Sequence, residues 1–325
     1  MLTVQKFGGS SLADRERLRH VAELCLARRR EEQELVLVVS AMGDTTDILT
    51  DKAREVSRRP SLRELDALMT TGEQQTAALL VMAMEELGLK AVSLTGWQAG
   101  ILTDCKYGDS DIRLIAPSRI SEELSRGRIP VITGFQGICG RGDVTSLGRG
   151  GSDTTAAALA AALDADRCEI YTDVDGIYTA DPRRVPEAVR LDAIDFRDML
   201  ALAKAGSRVL HPKSVELAMA NGIELYLLSS FSEGEGTAVR FLNTGSRPRF
   251  AGITGDPDAG SVCTAGTGAD AAALSEMVLC LAERNIPVLS GTLAENCVKI
   301  FVAPQQQQEA LELLHRRFVL KQRRA

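Results

Sequence analysis

Leu2-Thr3-Val4-Gln5-Lys6-Phe7-Gly8-Gly9-Ser10-Ser11 carries a short apolar strand into a glycine turn, and Leu18, Val21, Ala22, Leu24 and Cys25 then recur at helical spacing. A strand handed to a helix through glycines leaves backbone N–H groups facing outward at a helix start, where anions are attracted. Lys6 adds a mobile positive charge at the same place, and charge neutralisation is most of what phosphoryl transfer asks of a protein. Further along, apolar runs at 35–39, 91–94, 129–132, 168–171 and 223–228 are separated by helical patterns. Unbroken, β-branched runs of this kind suit a mainly parallel sheet covered on both faces. Residues 1–245 are therefore expected to form one three-layer α/β/α domain.

Asn243-Thr244-Gly245-Ser246-Arg247-Pro248 interrupts this pattern with turn-formers and marks a boundary. Residues 246–325 read as a small α+β unit: strands at 252–254 and 261–263, a helix over 271–284, strands at 286–290 and 297–302, and a helix over 305–318. The glutamines at 305–308 read as a solvated first turn after Pro304. His315, Arg316, Arg317, Lys321, Arg323 and Arg324 read as a solvated basic face.

The 325 residues are 45% hydrophobic with a net charge of −6, enough to bury a large core and poorly matched to nucleic acid or an anionic membrane. Seven scattered cysteines without a C-x-x-C pair disfavour a disulfide framework or a zinc site and are expected to be reduced, packed thiols. With no apolar leader and no run long enough to span a bilayer, a cytoplasmic protein is expected. The three histidines are too scattered for a metal cluster, and no metal ligand is assigned.

The candidate chemistry lies in five segments. In Leu147-Gly148-Arg149-Gly150-Gly151-Ser152-Asp153, Ser152 or Asp153 is placed to cap a helix over 154–163. Arg149 suits a carboxylate or phosphate, and Asp153 suits a metal or the orientation of a lysine. Ser40-Ala41-Met42-Gly43-Asp44-Thr45-Thr46-Asp47 puts hydroxyls at the carboxyl end of a strand, as ligand contacts or, for Thr46 or Asp47, as a helix cap. Glu73, in Thr70-Thr71-Gly72-Glu73, either receives an ammonium group or simply answers a helix dipole. The segment from Thr172 and Asp173 through Tyr178 and Asp181 to Arg183 reads as a nucleotide shelf, with Tyr178 against a base or ribose, and Lys213 is placed to meet phosphate. Neither a P-loop nor a dinucleotide fingerprint occurs.

Together these motifs, with Gly134-Phe135-Gln136-Gly137, resemble the amino acid kinase family, and within it the aspartate kinases, over residues 1–245 in order and approximate spacing. Residues 246–325 more weakly resemble a regulatory ACT-type domain. The resemblance implies transfer of a phosphoryl group from ATP, accompanied by Mg²⁺, to the side-chain carboxylate of L-aspartate, the first step towards lysine, threonine and methionine. It further implies that Lys6 stabilises the transferring group, that Asp153 orients Lys6, and that the Gly8 and Gly9 amides hold phosphate. Arg149 would bind the substrate α-carboxylate and Glu73 its ammonium, with Ser40, Thr46 and Ser152 lining the pocket. Ser10, Thr172, Asp173, Tyr178, Asp181, Arg183 and Lys213 would serve the nucleotide. Ser10 stands where many members have threonine. Many members carry two ACT units where 246–325 has length for about one, so a homodimer with weak feedback by lysine or threonine is expected. The alternatives are another carboxylate kinase of the family and a catalytically silent amino-acid sensor.

Overall fold

A computed structural model describes residues 1–30 and 34–321. The chain forms two compact units, each built from two segments: Met1–Asp175 with Leu217–Glu235, and Gly176–Glu216 with Gly236–Ala325.

In the first unit six strands pair side by side in the order Leu225–Ser229, Arg167–Thr172, Leu2–Phe7, Glu34–Val39, Ile129–Thr133, Ala91–Leu94. All five pairings are parallel. Alternation along each strand sends residues to opposite faces. Phe7, Leu35, Leu37 and Val39 meet Leu18, Val21, Cys25, Leu80 and Met84 of the helices Arg15–Arg30 and Thr71–Glu86. Val4, Val36 and Val38, on the alternate positions, are fully buried as well, and the alanine-rich helix Gly151–Ala162 packs against the central strands. The expected α/β architecture with a large, mainly parallel sheet is present. Register decides what this sheet can present: Phe7 lies opposite both Val39 and Tyr171, so three strands end level and release Gly8, Ser40 and Thr172-Asp173 at one edge.

The first unit also holds a four-stranded sheet in the order Ile112–Ile115, Ile101–Thr103, Gln136–Cys139, Val144–Ser146. Its strands of three and four residues carry no continuous apolar run, which is why sequence pattern alone misses them.

The second unit contains the parallel pair Ala193–Asp195 and Thr237–Arg240 and an antiparallel sheet in the order Gly252–Asp256, Ser261–Ala265, Cys297–Val302, Val288–Ala294. The helices Ala271–Ala282 and Gln307–Leu314 contribute Met277, Leu281, Leu311 and Leu314 to a core shared with Val185, Phe250, Ile253, Val262 and Ile300.

Three expectations for this region are corrected. Cys263 and Cys297 are disulfide-bonded with Cα atoms 6.4 Å apart; Cys263 faces Lys299 and Cys297 faces Ala265, a diagonal on one sheet face that scattered spacing hides. His315 belongs to no solvated face: it is fully buried, with Nε2 2.9 Å from Thr179 Oγ1. Gln307 is 1% exposed, donating to the Ser261 carbonyl at 2.9 Å and accepting from Arg184, so this part of the glutamine turn is packed where solvent was expected, while Gln305 is exposed as expected. Arg316 and Lys321 are exposed as expected, whereas Arg323 and Arg324 lie outside the described residues. No helix among the described residues is long and apolar enough to cross a membrane.

Candidate active site

Lys6, next to last in its strand, has Nζ 2.7 Å from Asp153 Oδ1, the side chains being 11% and 14% exposed. The helix that carries Asp153 begins one turn earlier than expected, at Gly151, with Gly150 at the cap position in the left-handed conformation, φ 69°, and no side-chain cap bond. Neither Ser152 nor Asp153 therefore caps; the glycine makes the turn that a capping side chain would otherwise support, and Asp153 is left to meet Lys6.

The two glycines after Lys6 differ in use. A Cβ on Gly9 would sit 2.7 Å from the Ala41 carbonyl oxygen, so the bare backbone lets the loop after Glu34–Val39 approach. A Cβ on Gly8 would stand 3.4 Å from Lys6 Nζ, filling space beside the ammonium. The Gly8 amide donates to the Tyr171 carbonyl at 3.2 Å, which corrects its expected role as a free phosphate donor. A short 3₁₀ turn, Gly9–Leu12, precedes the helix Arg15–Arg30.

Glu73 lies in the first turn of Thr71–Glu86 and is 3% exposed. Oε1 accepts the Ala41 N–H at 3.1 Å, and Oε2 has no hydrogen-bond partner among the described residues. Burial pushes its carboxyl from 4.5 up to about 7, against the opposing pull of the Glu73 and Ala41 N–H groups. Ser40 is anchored through its N–H to the Phe7 carbonyl at 3.1 Å. Thus one loop, touching Gly9 on one side and Glu73 on the other, holds the ammonium-carboxylate pair and the lone carboxylate at the same sheet edge. Thr46 is the second residue of Thr45–Val56, and Asp44 holds the cap position, so neither Thr46 nor Asp47 caps.

The segment leading to Arg149 is held by a residue that sequence reasoning missed. Asp66, fully buried in Leu62–Met69, accepts the Gly108 N–H at 2.9 Å, the Ser146 N–H at 3.0 Å and the Ser146 hydroxyl at 2.6 Å. It clamps the strand end leading to Gly148, whose added Cβ would come within 2.8 Å of Asp109 Oδ1. A carboxylate on the apolar side of a helix, between Leu65 and Met69, was the available signal. Arg149 itself is exposed and makes no ion pair among the described residues. Ser152 is 8% exposed, and a Cβ on Gly134 would fall 2.7 Å from its Oγ.

Of the nucleotide candidates, Thr172 and Asp173 share the sheet edge, with Thr172 Oγ1 donating to Asp173 Oδ1 at 3.0 Å. Ser10 is exposed and offers its carbonyl to Arg17. Tyr178, Asp181, Arg183 and Lys213 belong to the second unit. There Arg183 grips Asp181 through Nε at 3.0 Å and Nη2 at 2.9 Å, holding that carboxyl below its usual range. Tyr178 bridges Arg190, and Lys213 opens the helix Pro212–Asn221. No group of three potential metal ligands exists among the described residues.

The amino acid kinase family model matches residues 1–229. The chain belongs to that family. Within the family it is 50% identical to the aspartokinase of Bacillus sp. (strain MGA3) over 238 residues, 73% of this chain and 58% of that protein. It is 52% identical to the aspartokinase of Mycolicibacterium smegmatis over 240 residues, 74% and 57%. The matched region thus spans little more than half the length of these relatives. Among solved structures, aspartate kinase from Synechocystis aligns with TM-score 0.68 and 31% identity over 98% of this chain and 69% of that one. E. coli aspartokinase III in complex with aspartate and ADP aligns with TM-score 0.69 and 25% identity over 99% and 83%.

Proposed function

We propose that the protein is an aspartate kinase, transferring the γ-phosphoryl group of ATP to the side-chain carboxylate of L-aspartate to give ADP and 4-phospho-L-aspartate. The observation that carries this reading is the nearly dry Lys6–Asp153 pair on the sheet edge that also bears Glu73 with an unpartnered Oε2. An acceptor carboxylate is already ionised at neutral pH, so position and charge suffice and no general base is required. Lys6 meets the charge that is redistributed in the transition state, and Asp153 orients it. Glu73 takes the substrate ammonium and Arg149 its α-carboxylate, with Ser40, Thr46 and Ser152 around them. Gly9, Ser10, Thr172 and Asp173 are read as nucleotide contacts on the first unit, and Tyr178, Asp181, Arg183 and Lys213 keep the nucleotide role that the family resemblance gives them. The described carboxylates form no cage for Mg²⁺, so the ion is read as one carried by nucleotide phosphates and water, where it would neutralise phosphate charge. The similarity to named aspartokinases supports the choice of acceptor.

Residues 1–245 are proposed as the catalytic part and 246–325 as a single ACT-like regulatory and dimerising part, in a cytoplasmic homodimer. The strand Cys297–Val302 lies inside its sheet, so the edge open to a second copy is Val288–Ala294, where Leu289 and Leu293 are 68% and 46% exposed. Hydroxylamine trapping of the acyl phosphate, with ATP, Mg²⁺ and a panel of acidic acceptors, tests the reaction. Hydroxamate formed from L-aspartate well above that from glutamate or N-acetylglutamate is expected, and the reverse order overturns the assignment.

A further inference from the structure

Five cysteines are free, and two of them are neighbours: Cys105, partly exposed, lies beside the buried Cys139. Strand register brings them together. Ile101–Thr103 and Gln136–Cys139 are parallel with Thr103 opposite Cys139, and Cys105 follows two residues beyond. The surroundings hold both sulfurs in place. The Cys139 N–H donates to the Asp143 carbonyl at 2.9 Å and its carbonyl accepts the Gly142 N–H at 2.9 Å. Asp143 in turn accepts from the Tyr107 hydroxyl at 2.8 Å and Arg63 Nη2 at 2.6 Å, so the turn after one cysteine is tied to the loop that carries the other.

Burial separates this pair from the remaining thiols. It pushes Cys25 up to about 12 and Cys168 upward as well, leaving both unreactive. At Cys139 burial acts in the same direction, but the Cys105 S–H and the N–H groups of Arg141 and Asp143 outweigh it, and the thiol lies below its ordinary value. Cys105 is raised, first by the hydrogen bond it donates. The pair therefore combines an accessible sulfur with a neighbouring sulfur inclined to thiolate.

We infer that Cys105 and Cys139 form a dithiol modification site that low-molecular-weight disulfides close reversibly to an intramolecular disulfide. Cys105, the accessible sulfur, loses its proton to solvent and the thiolate attacks one sulfur of the small disulfide; that S–S bond breaks and one small thiolate leaves. Cys139, losing its proton to that thiolate, then attacks Cys105 Sγ and expels the second small thiolate, which takes up the proton that Cys105 gave to solvent. Two protein sulfurs are oxidised by one electron each and the two small-molecule sulfurs are reduced likewise. The bond would fasten the loop carrying Gly108, which is held by Asp66, and Asp109, which packs against Gly148.

The test is to incubate the reduced full chain with oxidised glutathione, quench it in acid, alkylate the remaining thiols in denaturant, digest without reductant and identify the cysteine peptides by mass spectrometry. The expected result is loss of alkylation at both Cys105 and Cys139, with their peptides joined and released by dithiothreitol. Cys139→Ala should leave glutathione on Cys105, and Cys105→Ser should leave Cys139 unmodified. Glutathione retained on Cys105 of the wild-type chain with no joined peptide, or full alkylation of Cys105 with no joined peptide, would overturn the inference; both readings need only the wild-type protein to be folded.

Discussion

The buried Glu73 carboxyl, pushed to about 7, ties amino-acid binding to pH. A neutral carboxyl gives little to an ammonium group, so the substrate selects molecules in which Glu73 has lost its proton. At about pH 6 roughly one molecule in ten is ionised and at about pH 8 roughly nine in ten. Apparent affinity for L-aspartate should rise about tenfold across that interval, about 1.4 kcal/mol, while the substrate's own groups keep their charges. Binding should release about 0.9 proton near pH 6 and about 0.1 near pH 8. Isothermal titration in buffers of different ionisation enthalpy measures both quantities. The empty protein shows the complement: its Glu73 retains a proton where the unfolded chain has lost it, so the stabilisation from this group is complete below 4.5 and lost as pH rises through about 7. That loss amounts to about 3 kcal/mol. Glu73→Gln should flatten the binding profile and weaken affinity by about 1.5–3 kcal/mol. A dissociation constant unchanged between these pH values, with no buffer-dependent heat, would refute the argument.

Lys6→Met should lower kcat at least about a hundredfold, the value of one transition-state electrostatic contact, and leave the KM for aspartate nearly unchanged; near-normal turnover by folded protein would remove Lys6 from the chemistry. Arg149→Ala should raise the aspartate KM by about 1.5–3 kcal/mol equivalent without affecting ATP, and equal effects on both substrates would argue for a structural role. Asp66→Ala strands the donors of Gly108 and Ser146 at about 1–3 kcal/mol each, so urea unfolding should show a loss of at least about 3 kcal/mol; a loss below about 1 kcal/mol would contradict the clamp. Replacing Leu289 and Leu293 together by lysine should convert a sedimenting dimer to monomer, whereas an unchanged dimer would place the interface elsewhere.

The central strands were legible because both of their faces are covered, leaving apolar runs such as 35–39 that no solvent-facing element needs. Lys6 and Asp153 stood out separately through the glycines beside them, but their 2.7 Å contact depends on a strand and a helix far apart in the chain. Gly8 shows the opposite limit: its residue type suggests an anion cradle, yet its amide is engaged by Tyr171, a partner that only sheet register supplies. His315 and Gln307 looked solvated because their neighbours are polar, whereas long-range partners, Thr179 and Arg184, draw them inward. Asp66 left only the trace of one acidic residue on an apolar helix side, and Cys263 and Cys297 left none.

The second unit's interrupted chain path bears on how variants of this protein can be assembled. Ala180 and Val185, from Gly176–Glu216, share a core with Phe250, Ile253 and Leu311 from the later segment, and Arg184 reaches Gln307, Gln308 and the Gly255 carbonyl. A chimera joined near residue 245 would replace most of that core while keeping Ala180, Val185 and Arg184 against it, however conservative the linker. Exchange of the C-terminal part between relatives should succeed only when 176–216 travels with it, and a donor that alters Gln307 or Gln308 would be sensed at Arg184, next to Arg183 and the Asp181 it holds. Three crossover points, before Gly176, after Glu216 and before Gly236, define the interchangeable module.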